Sequence, residues 1–367
     1  MILRTPDTEA SPVEILLLSD GRPGHYRQSE GVIAAIERHR PVSVTRLELK
    51  SRLPLPKAMI PKLSRRLPPR VGLKLLYAID ANTVPRPDLI VSAGGMTLGA
   101  NVGLARTLAT ANVFCGAIRG FPIDAFGLVL TDNPSEVGIP EVGPPKDQSA
   151  GGLPPRTLPS NVRVGPKPAT FDPDTLPPPA PLVNNIETAD IHVGLLVGGA
   201  TDSADFEASD WQALAMLVQK LITEQLCHIT IVTSPRTPPA AYTAFEKTIA
   251  SFAGNCTLVD FRQTGPGSID KALASDILLV TSDSMSMMTE AALSQRPAIA
   301  LRPARTAPTR DDAAIAWLTA QGWLAILNIA DTSTEALFST ARALRPMTEN
   351  HLDRLAGFVL PLLGSKG

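Results

Sequence analysis

The sequence predicts an α/β protein with two Rossmann-like domains, each built on a doubly wound parallel sheet, whose loops face each other across a cleft. Apolar runs of strand length, such as Val13 to Leu18 and Ile277 to Val280, alternate with segments of helix length. Several runs end in glycine, serine or threonine just before a helix, at the edge where such sheets bind ligands. The length of 367 residues exceeds what one ordinary core holds, which favours two domains.

The first predicted domain spans residues 1–175. Its predicted strands lie at residues 13–18, 42–49, 88–93, 113–118 and 126–131. A glycine-rich loop follows the first strand, where Gly21 and Gly24 permit tight backbone geometry. Gly94 and Gly95 follow the third strand and open the next helix, so they are expected at the same edge of the sheet.

His25 is the residue of this domain best suited to acid–base chemistry. It lies at a predicted helix start, and Asp20 is close to it in sequence. Histidine suits a general base at neutral pH, although lone histidines are more often structural or solvated. We predict that His25 and Asp20 are catalytic or contact a ligand, with a structural role as the alternative.

Residues 50–78 carry eight basic side chains and no acid, interleaved with leucines and prolines. One interpretation is a solvated helical surface with an interrupting loop. The other is a basic amphipathic surface that lies on an anionic membrane or receives a charged acceptor. The sequence leaves both interpretations open.

A shift in composition marks the join between the predicted domains. Proline occupies 14 of the 48 positions from 134 to 181, so this segment is expected to be loop, sheet edge or linker. We place the boundary near Pro173 to Pro181, the second domain at residues 182–345, and a C-terminal helical segment at residues 346–367. Packing of that last segment against the first domain is one alternative.

The second domain repeats the same alternation. Its predicted strands lie at residues 192–197, 228–233, 256–261, 277–280, 298–301 and 324–328. After the fourth of these, a polar loop leads into a helix near Ser284, which collects hydroxyls and free backbone N–H groups that favour an anion. Asp283, Ser286 and Glu290 share one face of that helix. We predict a nucleotide-diphosphate pocket there, with simple helix capping as the alternative.

Two further loops are expected at the same edge. The turn after the first strand of this domain supplies Gly198, Gly199 and Thr201. It lacks the spacing of an NAD site or a P-loop, but its amides suit a phosphate, with a plain tight turn as the alternative. Arg236 follows the next strand, within Ser234 to Thr237, and Gly265 to Ser268 is a candidate for holding a base.

Composition excludes several other classes of function. A net charge of −1 and 4% aromatic residues argue against a nucleic-acid partner. Three scattered cysteines in or beside apolar runs predict reduced, buried thiols, and the histidines show no metal-ligand spacing, so we expect no metal and no cofactor. Because no signal-type or 18-residue apolar stretch occurs, we expect a cytoplasmic protein, with peripheral attachment to the inner membrane as an alternative.

Several motifs together resemble bacterial members of the mitochondrial fission, or elongated-mitochondria, family. They are LSDGRPGHYRQSEG, DLIVSAGG, IRGFPIDAFGLVLT, LLVGGAT, VTSPRTP and VTSDSMSMMTEA, and in this order they cover most of residues 13–330. That family is similar to the GT-B glycosyltransferases, which have two Rossmann-like domains and bind a nucleotide-sugar donor mainly in the second. The resemblance therefore implies a GT-B-like fold with the first domain on the acceptor side.

The resemblance also implies roles for individual residues. Glu290 would hold the donor ribose, while Ser282 to Ser286 and Gly198 to Thr201 would hold the diphosphate. Gly24 and His25 would form the glycine-rich loop in which a histidine acts as base. The chain departs from the family pattern at two places. Pro235 stands for a second arginine, and Gln295-Arg296-Pro297 stands for Gly-Lys-Pro.

These observations predict a metal-independent glycosyltransferase that transfers a sugar from a nucleotide-sugar with inversion. His25 or Asp20 would deprotonate the acceptor, which a lipid linkage could place near residues 50–78, and Arg236 would stabilise the departing diphosphate. A glycoside hydrolase would need a pair of catalytic carboxylates, and nothing singles one out. A non-catalytic adaptor that binds membranes or partners, and a nucleotide-sugar epimerase, remain the alternatives.

Overall fold

A computed structural model describes residues 11–50, 52, 54, 56, 59–137, 158–182, 190–201, 204–265 and 269–364. The chain divides into two compact units. Unit 1 comprises residues 1–171 and 351–367, and unit 2 comprises residues 172–350. Parts of the predicted basic, proline-rich and base-holding segments, at residues 51, 53, 55, 57–58, 138–157 and 266–268, lie outside the described residues.

Unit 1 contains a six-stranded parallel sheet. Its strands are β1 (Val13–Ser19), β2 (Val42–Glu48), β3 (Leu89–Ala93), β4 (Ala111–Cys115), β5 (Leu128–Thr131) and β6 (Val162–Val164). Its helices are α1 (Pro23–Glu37), α2 (Met59–Ser64), α3 (Pro69–Tyr77), α4 (Leu98–Leu108) and α12 (His351–Val359). The strand order is β2-β1-β3-β4-β5-β6, and every pair is parallel.

The C-terminal helix completes the core of unit 1. Leu352 and Val359 of α12 belong to the same buried cluster as Val32 and Ile36 of α1. An ion pair of 2.7 Å between Arg38 Nε and Asp353 Oδ1 joins the two helices at the surface. Residues distant in sequence therefore build one core, although the chain leaves unit 1 after residue 171 and returns at residue 351.

Unit 2 contains a second six-stranded parallel sheet. Its strands are β7 (His192–Val197), β9 (His228–Thr233), β10 (Cys256–Val259), β11 (Ile277–Thr281), β12 (Ala298–Arg302) and β14 (Ala325–Asn328), and a short antiparallel pair joins β8 (Ala204–Asp205) to β13 (Arg305–Thr306). Its helices are α5 (Ala208–Gln225), α6 (Pro239–Ser251), α7 (Phe261–Thr264), α8 (Asp270–Leu273), α9 (Met285–Leu293), α10 (Asp312–Ala320) and α11 (Thr334–Ala343). The order β10-β9-β7-β11-β12-β14 is that of a Rossmann sheet.

The predicted fold class is therefore confirmed as two doubly wound parallel α/β units. The predicted strands are present with ends shifted by up to three residues, as at the fourth strand, which ends at Cys115. The proline-rich segment, expected to be loop, sheet edge or linker, supplies one further strand, β6, which pairs with β5 at the edge of the sheet. An edge is the position that tolerates nearby prolines, because a ladder there needs hydrogen bonds on one side.

The end of the proline-rich segment is fastened to unit 2 by two buried charged groups. Asp276 accepts hydrogen bonds from the backbone N–H groups of Ala180, at 2.5 Å, and His192, at 2.8 Å. Arg296 is 2% exposed and donates to the carbonyls of Ser275, Ser294 and Pro177. Burial lowers the pKa of the Arg296 guanidinium, and Asp276 opposes that shift.

Arg296→Met should destabilise unit 2 by about 3 kcal/mol or more, because three buried carbonyls would lose a charged donor. Arg310→Met is the matched control, since the Arg310 side chain is 84% exposed and its replacement should change stability by about 0.5 kcal/mol or less. Urea unfolding of both variants measures the difference. Equal midpoints for the two variants would show that Arg296 does not fasten this segment.

Candidate functional site

The candidate site of unit 2 lies where its strand order reverses. Strands β7 and β11 are neighbours, but their helices lead away in opposite directions, so a crevice opens beyond their carboxyl ends. Gly198 and Gly199 follow β7, while Ser282, Asp283 and Ser284 follow β11. The structure thus brings together two predicted loops that are more than 80 residues apart in sequence.

Asp283 is the central side chain of this crevice. Its carboxylate is fully buried, and Oδ2 accepts hydrogen bonds from the Gly199 N–H at 3.1 Å and from Arg236 Nη2 at 2.7 Å. Among the described residues, its Oδ1 is a buried oxygen without a hydrogen-bond partner. Burial raises the pKa of Asp283, while Thr281, Gly199 and Arg236 oppose that rise. This carboxyl group therefore joins Gly199 and Arg236 from two other loops, which a helix cap alone would not do.

The two glycines make room for these contacts. A Cβ on Gly198 would lie 2.1 Å from Asp283 Oδ2, and a Cβ on Gly199 would lie 1.9 Å from the carbonyl oxygen of Arg236. The Gly198 N–H donates to Thr281 Oγ1 at 2.7 Å, which ties the ends of β7 and β11 together. Any residue larger than glycine at these two positions would therefore collide with Asp283 or with the Arg236 carbonyl.

Arg236 is held by the short loop after β9. Thr237 Oγ1 donates to the Val197 carbonyl at 2.8 Å, the Ser234 N–H donates to Thr237 Oγ1 at 2.8 Å, and the Arg236 N–H donates to Ser234 Oγ at 3.2 Å. The Arg236 side chain remains 45% exposed while it bonds Asp283. The hydroxyls of Ser234 and Thr237 thus fix the backbone of the loop from which Arg236 reaches Asp283.

Helix α9 provides the other wall. Ser284 is its N-cap, and its Oγ accepts from the Met287 N–H at 3.5 Å. Ser286 is exposed and Glu290 is half-buried one turn further along the same face. By contrast, Thr201 forms an antiparallel bridge with Ala204, and its N–H donates to the Ala204 carbonyl at 2.9 Å.

Unit 1 carries a second polar cluster at its own reversal of strand order, between β1 and β3. His25 Nδ1 lies 3.0 Å from Asp20 Oδ2. Because a carboxylate accepts, Nδ1 donates, which leaves Nε2 as the acceptor nitrogen. The Asp20 side chain is 4% exposed and that of His25 is 29% exposed, so the carboxylate lies behind the imidazole.

The glycines around His25 differ in what they do. Gly94 has φ +86°, and a Cβ there would lie 2.1 Å from His25 Nδ1. A Cβ on Gly95 would lie 2.6 Å from Arg119 Nε. Gly21 has φ +74°, as expected for a tight turn. Gly24 is helical and a Cβ there would meet nothing within 4 Å, so its backbone does not require glycine, contrary to the expectation of a tight turn.

Some polar residues at these edges escaped the sequence analysis. Arg119 follows β4 and has φ +47°, an uncommon conformation for a residue with a Cβ. Asp260 follows β10, and Arg262 Nη2 donates to its Oδ2 at 2.7 Å. The available signal was position, since each of these charged residues comes just after a buried strand.

The remaining expectations from the sequence concern the cysteines, metal ligands and membrane-spanning helices. Cys115, Cys227 and Cys256 are free and buried, and burial raises their pKa values to about 12, 12 and 11, so the predicted buried thiols are confirmed. Within the described residues, no group of three or more His, Cys, Asp or Glu residues could hold a metal ion. The helices of the described ranges are all too short or too polar to cross a membrane.

The basic segment forms α2 and α3. Helix α3 buries Leu73 and Leu76 and exposes two stripes, one basic (Arg70, Lys74) and one apolar (Val71, Leu75). A cavity of about 180 Å³, open to solvent, lies between α2, α3 and α4, and its lining includes two arginines and no acid. The exposed face of α3 is thus amphipathic, with a basic stripe beside an apolar one.

Comparison with known proteins finds solved structures of related shape at low sequence identity. The glycosyltransferase SnogD from Streptomyces nogalater is 13% identical, with 95% of this chain and 96% of that chain covered and a TM-score of 0.49. MurG from Acinetobacter baumannii is 14% identical (96% and 95% covered, TM-score 0.45). The UDP-GlcNAc 2-epimerase from Methanocaldococcus jannaschii is 11% identical (96% and 99% covered, TM-score 0.45).

A search of curated proteins gives no significant match. A family model does match. The model described as Mitochondrial fission ELM1 covers residues 156–351, which is more than half of the chain and includes all of the polar loops of unit 2. The resemblance drawn from the sequence motifs is therefore confirmed, and the chain belongs to the Mitochondrial fission ELM1 family.

Proposed function

We propose that this protein is a glycosyltransferase that takes a sugar from a nucleotide-sugar donor whose diphosphate binds at the β7–β11 crevice. The observation that carries the proposal is the contact set around Asp283, which brings the Gly199 amide, Arg236 and the start of α9 to one point of a Rossmann sheet. A plain strand-to-helix turn would not require a buried carboxylate bonded to residues of two other loops. Backbone N–H groups and a guanidinium at a helix N-terminus are the usual ligands of a diphosphate.

The donor-binding residues divide the work in this proposal. Arg236 and the amides at the start of α9 neutralise the diphosphate, and they stabilise the charge that grows as it leaves. The hydroxyls of Ser282, Ser284 and Ser286 hydrogen-bond its oxygens. Glu290, one turn beyond Ser286, accepts hydrogen bonds from the ribose hydroxyls. Because protein groups supply the positive charge, transfer by this route needs no metal ion.

Unit 1 supplies the base. The acceptor hydroxyl gives its proton to His25 Nε2 as its oxygen bonds the anomeric carbon, and the bond from that carbon to the diphosphate oxygen breaks with inversion. Asp20 fixes the imidazole tautomer and stabilises the imidazolium that forms. Gly94 lets the backbone lie close to this histidine, since a Cβ there would collide with the imidazole ring.

Glu290→Ala should weaken donor binding, whereas His25→Ala should leave donor binding intact and lower turnover by roughly 100-fold or more. Thermal shift with UDP-, GDP-, CMP- and ADP-sugars measures binding, and release of the free nucleoside diphosphate in the presence of candidate acceptors measures turnover. Glu335→Ala, on α11, is the control for loss of a carboxylate.

The same assays separate the alternatives. If no nucleotide-sugar stabilises the protein, the donor site is refuted and a non-catalytic adaptor is favoured. If a donor incubated without acceptor yields a new epimer, the protein is an epimerase. If His25→Ala turns over normally, the assignment of the base is wrong.

Donor affinity should fall as pH rises. A diphosphate beside Asp283 favours the neutral carboxyl, so binding takes up a proton wherever Asp283 is ionised in the free protein. Because the pKa of Asp283 is raised, the fall in donor affinity should begin at a pH above the ordinary pKa of an aspartate. One proton limits this fall to tenfold per pH unit.

Calorimetry with an intact nucleotide-sugar checks this dependence. The diphosphate of such a donor is a diester that does not titrate near neutrality, so the proton uptake belongs to the protein. Asp283→Asn should bind with little pH dependence, and Asp205→Asn, at an exposed position, is the matched control. Identical pH profiles for Asp283→Asn and the unaltered protein would contradict the role given to Asp283.

We further propose that the acceptor is presented at an anionic membrane surface, on the face of α2 and α3. Six large apolar side chains of the described residues are well exposed, and three of them (Met59, Val71, Leu75) lie within residues 59–75. Basic residues flank them on the same face, and no acid occurs between residues 50 and 78. Apolar contact together with basic charge is what interfacial binding to anionic lipid requires.

The double variant Val71→Asp/Leu75→Asp should abolish flotation with vesicles that contain phosphatidylglycerol, while neither protein should float with pure phosphatidylcholine. High salt should weaken the interaction, because each basic residue near an anionic surface contributes about 1 kcal/mol. Met216→Asp, at an exposed position in unit 2, is the control. If the double variant floats as the unaltered protein does, this surface is not the one that binds.

A further inference from the structure

A flat stacked group lies at the carboxyl end of β10 in unit 2. The Arg262 guanidinium lies over the Tyr242 ring, with its central carbon 3.7 Å from the ring centroid. Its Nε and Nη2 donate to Asp260 Oδ2 at 3.0 Å and 2.7 Å. The plane of a long, flexible side chain is therefore fixed by one aromatic face and one carboxylate.

The carboxylate that holds this guanidinium is itself immobile. Asp260 Oδ1 accepts from the Tyr242 hydroxyl at 2.9 Å and from the Arg262 N–H at 3.0 Å. Thr233 Oγ1 lies 2.9 Å from the same Tyr242 hydroxyl, which adds the end of β9 to the group. Hydrogen bonds from Arg262 lower the pKa of Asp260 to about 2, so it remains ionised throughout the neutral range.

Although its inner face is covered, Arg262 is not buried. Its side chain is 62% exposed, whereas that of Asp260 is 7% exposed. An arginine whose inner face covers a tyrosine presents its outer face to solvent as a planar, weakly hydrated cation, the kind of surface on which nucleobases stack. A simple surface ion pair would not need the tyrosine ring and the second carboxylate contact.

We propose that Arg262 is a stacking platform for the nucleobase of the nucleotide bound in unit 2. This inference rests on the proposed donor site and adds the contact that reads the base side of the donor. Strand β10 is two positions from β7 in the sheet. At about 4.8 Å per strand, the platform lies roughly 10 Å across the edge from the diphosphate crevice, a separation that a ribose bridges.

Stacking on a cation is tolerant of base identity, because every base has a π face. The platform therefore contributes affinity to nucleoside diphosphates in general, and it contributes nothing to a diphosphate that carries no base. Inorganic pyrophosphate is the ligand that separates the two effects.

Calorimetry should compare UDP, ADP and inorganic pyrophosphate on the full chain and on its Arg262→Ala and Arg262→Lys variants. Both variants should bind UDP and ADP roughly 5- to 100-fold more weakly, with pyrophosphate affinity unchanged. Arg262→Lys keeps the charge but has no plane, so a loss in both variants points to stacking rather than charge. Arg305→Ala, at a side chain 69% exposed, is the control and should bind all three ligands normally.

Three results would overturn the inference. Unchanged UDP and ADP affinity in Arg262→Ala would show that the base does not touch Arg262, while leaving the diphosphate site intact. Equal affinity of the unaltered protein for pyrophosphate and UDP would show that the base contributes nothing. Failure of the unaltered protein to bind any nucleotide would refute the donor site together with the platform.

Discussion

The buried carboxylate of Asp283 joins the loops that follow β7, β9 and β11 in unit 2. It occupies the place where a Cβ of residue 198 would lie, and it accepts from the Gly199 N–H. Arg236 is directed at the same oxygen by a loop whose own hydroxyls are bonded to each other and to Val197. A buried charge costs several kcal/mol unless it is paired and hydrogen-bonded, so these features form one arrangement.

That arrangement also poses an electrostatic question, because a carboxylate is a poor neighbour for a diphosphate. Two negative charges about 4 Å apart repel by several kcal/mol near a protein surface. Burial raises the pKa of Asp283, which makes neutralisation by a proton the less costly solution. Arg236 would then be released from Asp283 and its charge would pass to the ligand. If the proposed donor site is correct, the free protein holds Arg236 in place by means of Asp283, which stands in for the phosphate.

Much of the fold was predictable, because the strands of a parallel sheet are buried on both faces and read as apolar runs, as Ile277 to Thr281 does. The polar edge was predictable too, since loops after such strands meet. The contacts between those loops were not, because Asp283 and Gly199 are 84 residues apart and nothing local couples them. The stacking of Arg262 on Tyr242 escaped for the same reason. The expectation of a loop, sheet edge or linker in the proline-rich segment included the edge position that β6 takes, but not the strand itself.

The chemistry of the two clusters bears on the choice between transfer and epimerisation. An epimerase needs an acid and a base close to the sugar, beside the diphosphate. Of the two carboxyl groups that the β7–β11 crevice and its α9 wall present, Asp283 is buried and engaged by Gly199 and Arg236, and Glu290 lies on the helix face where a ribose would bind. Neither is free to move a proton on a sugar ring. In the proposed function the base is the imidazole of His25, which Asp20 would orient with Nε2 left as an acceptor, and one base is what transfer to a hydroxyl requires.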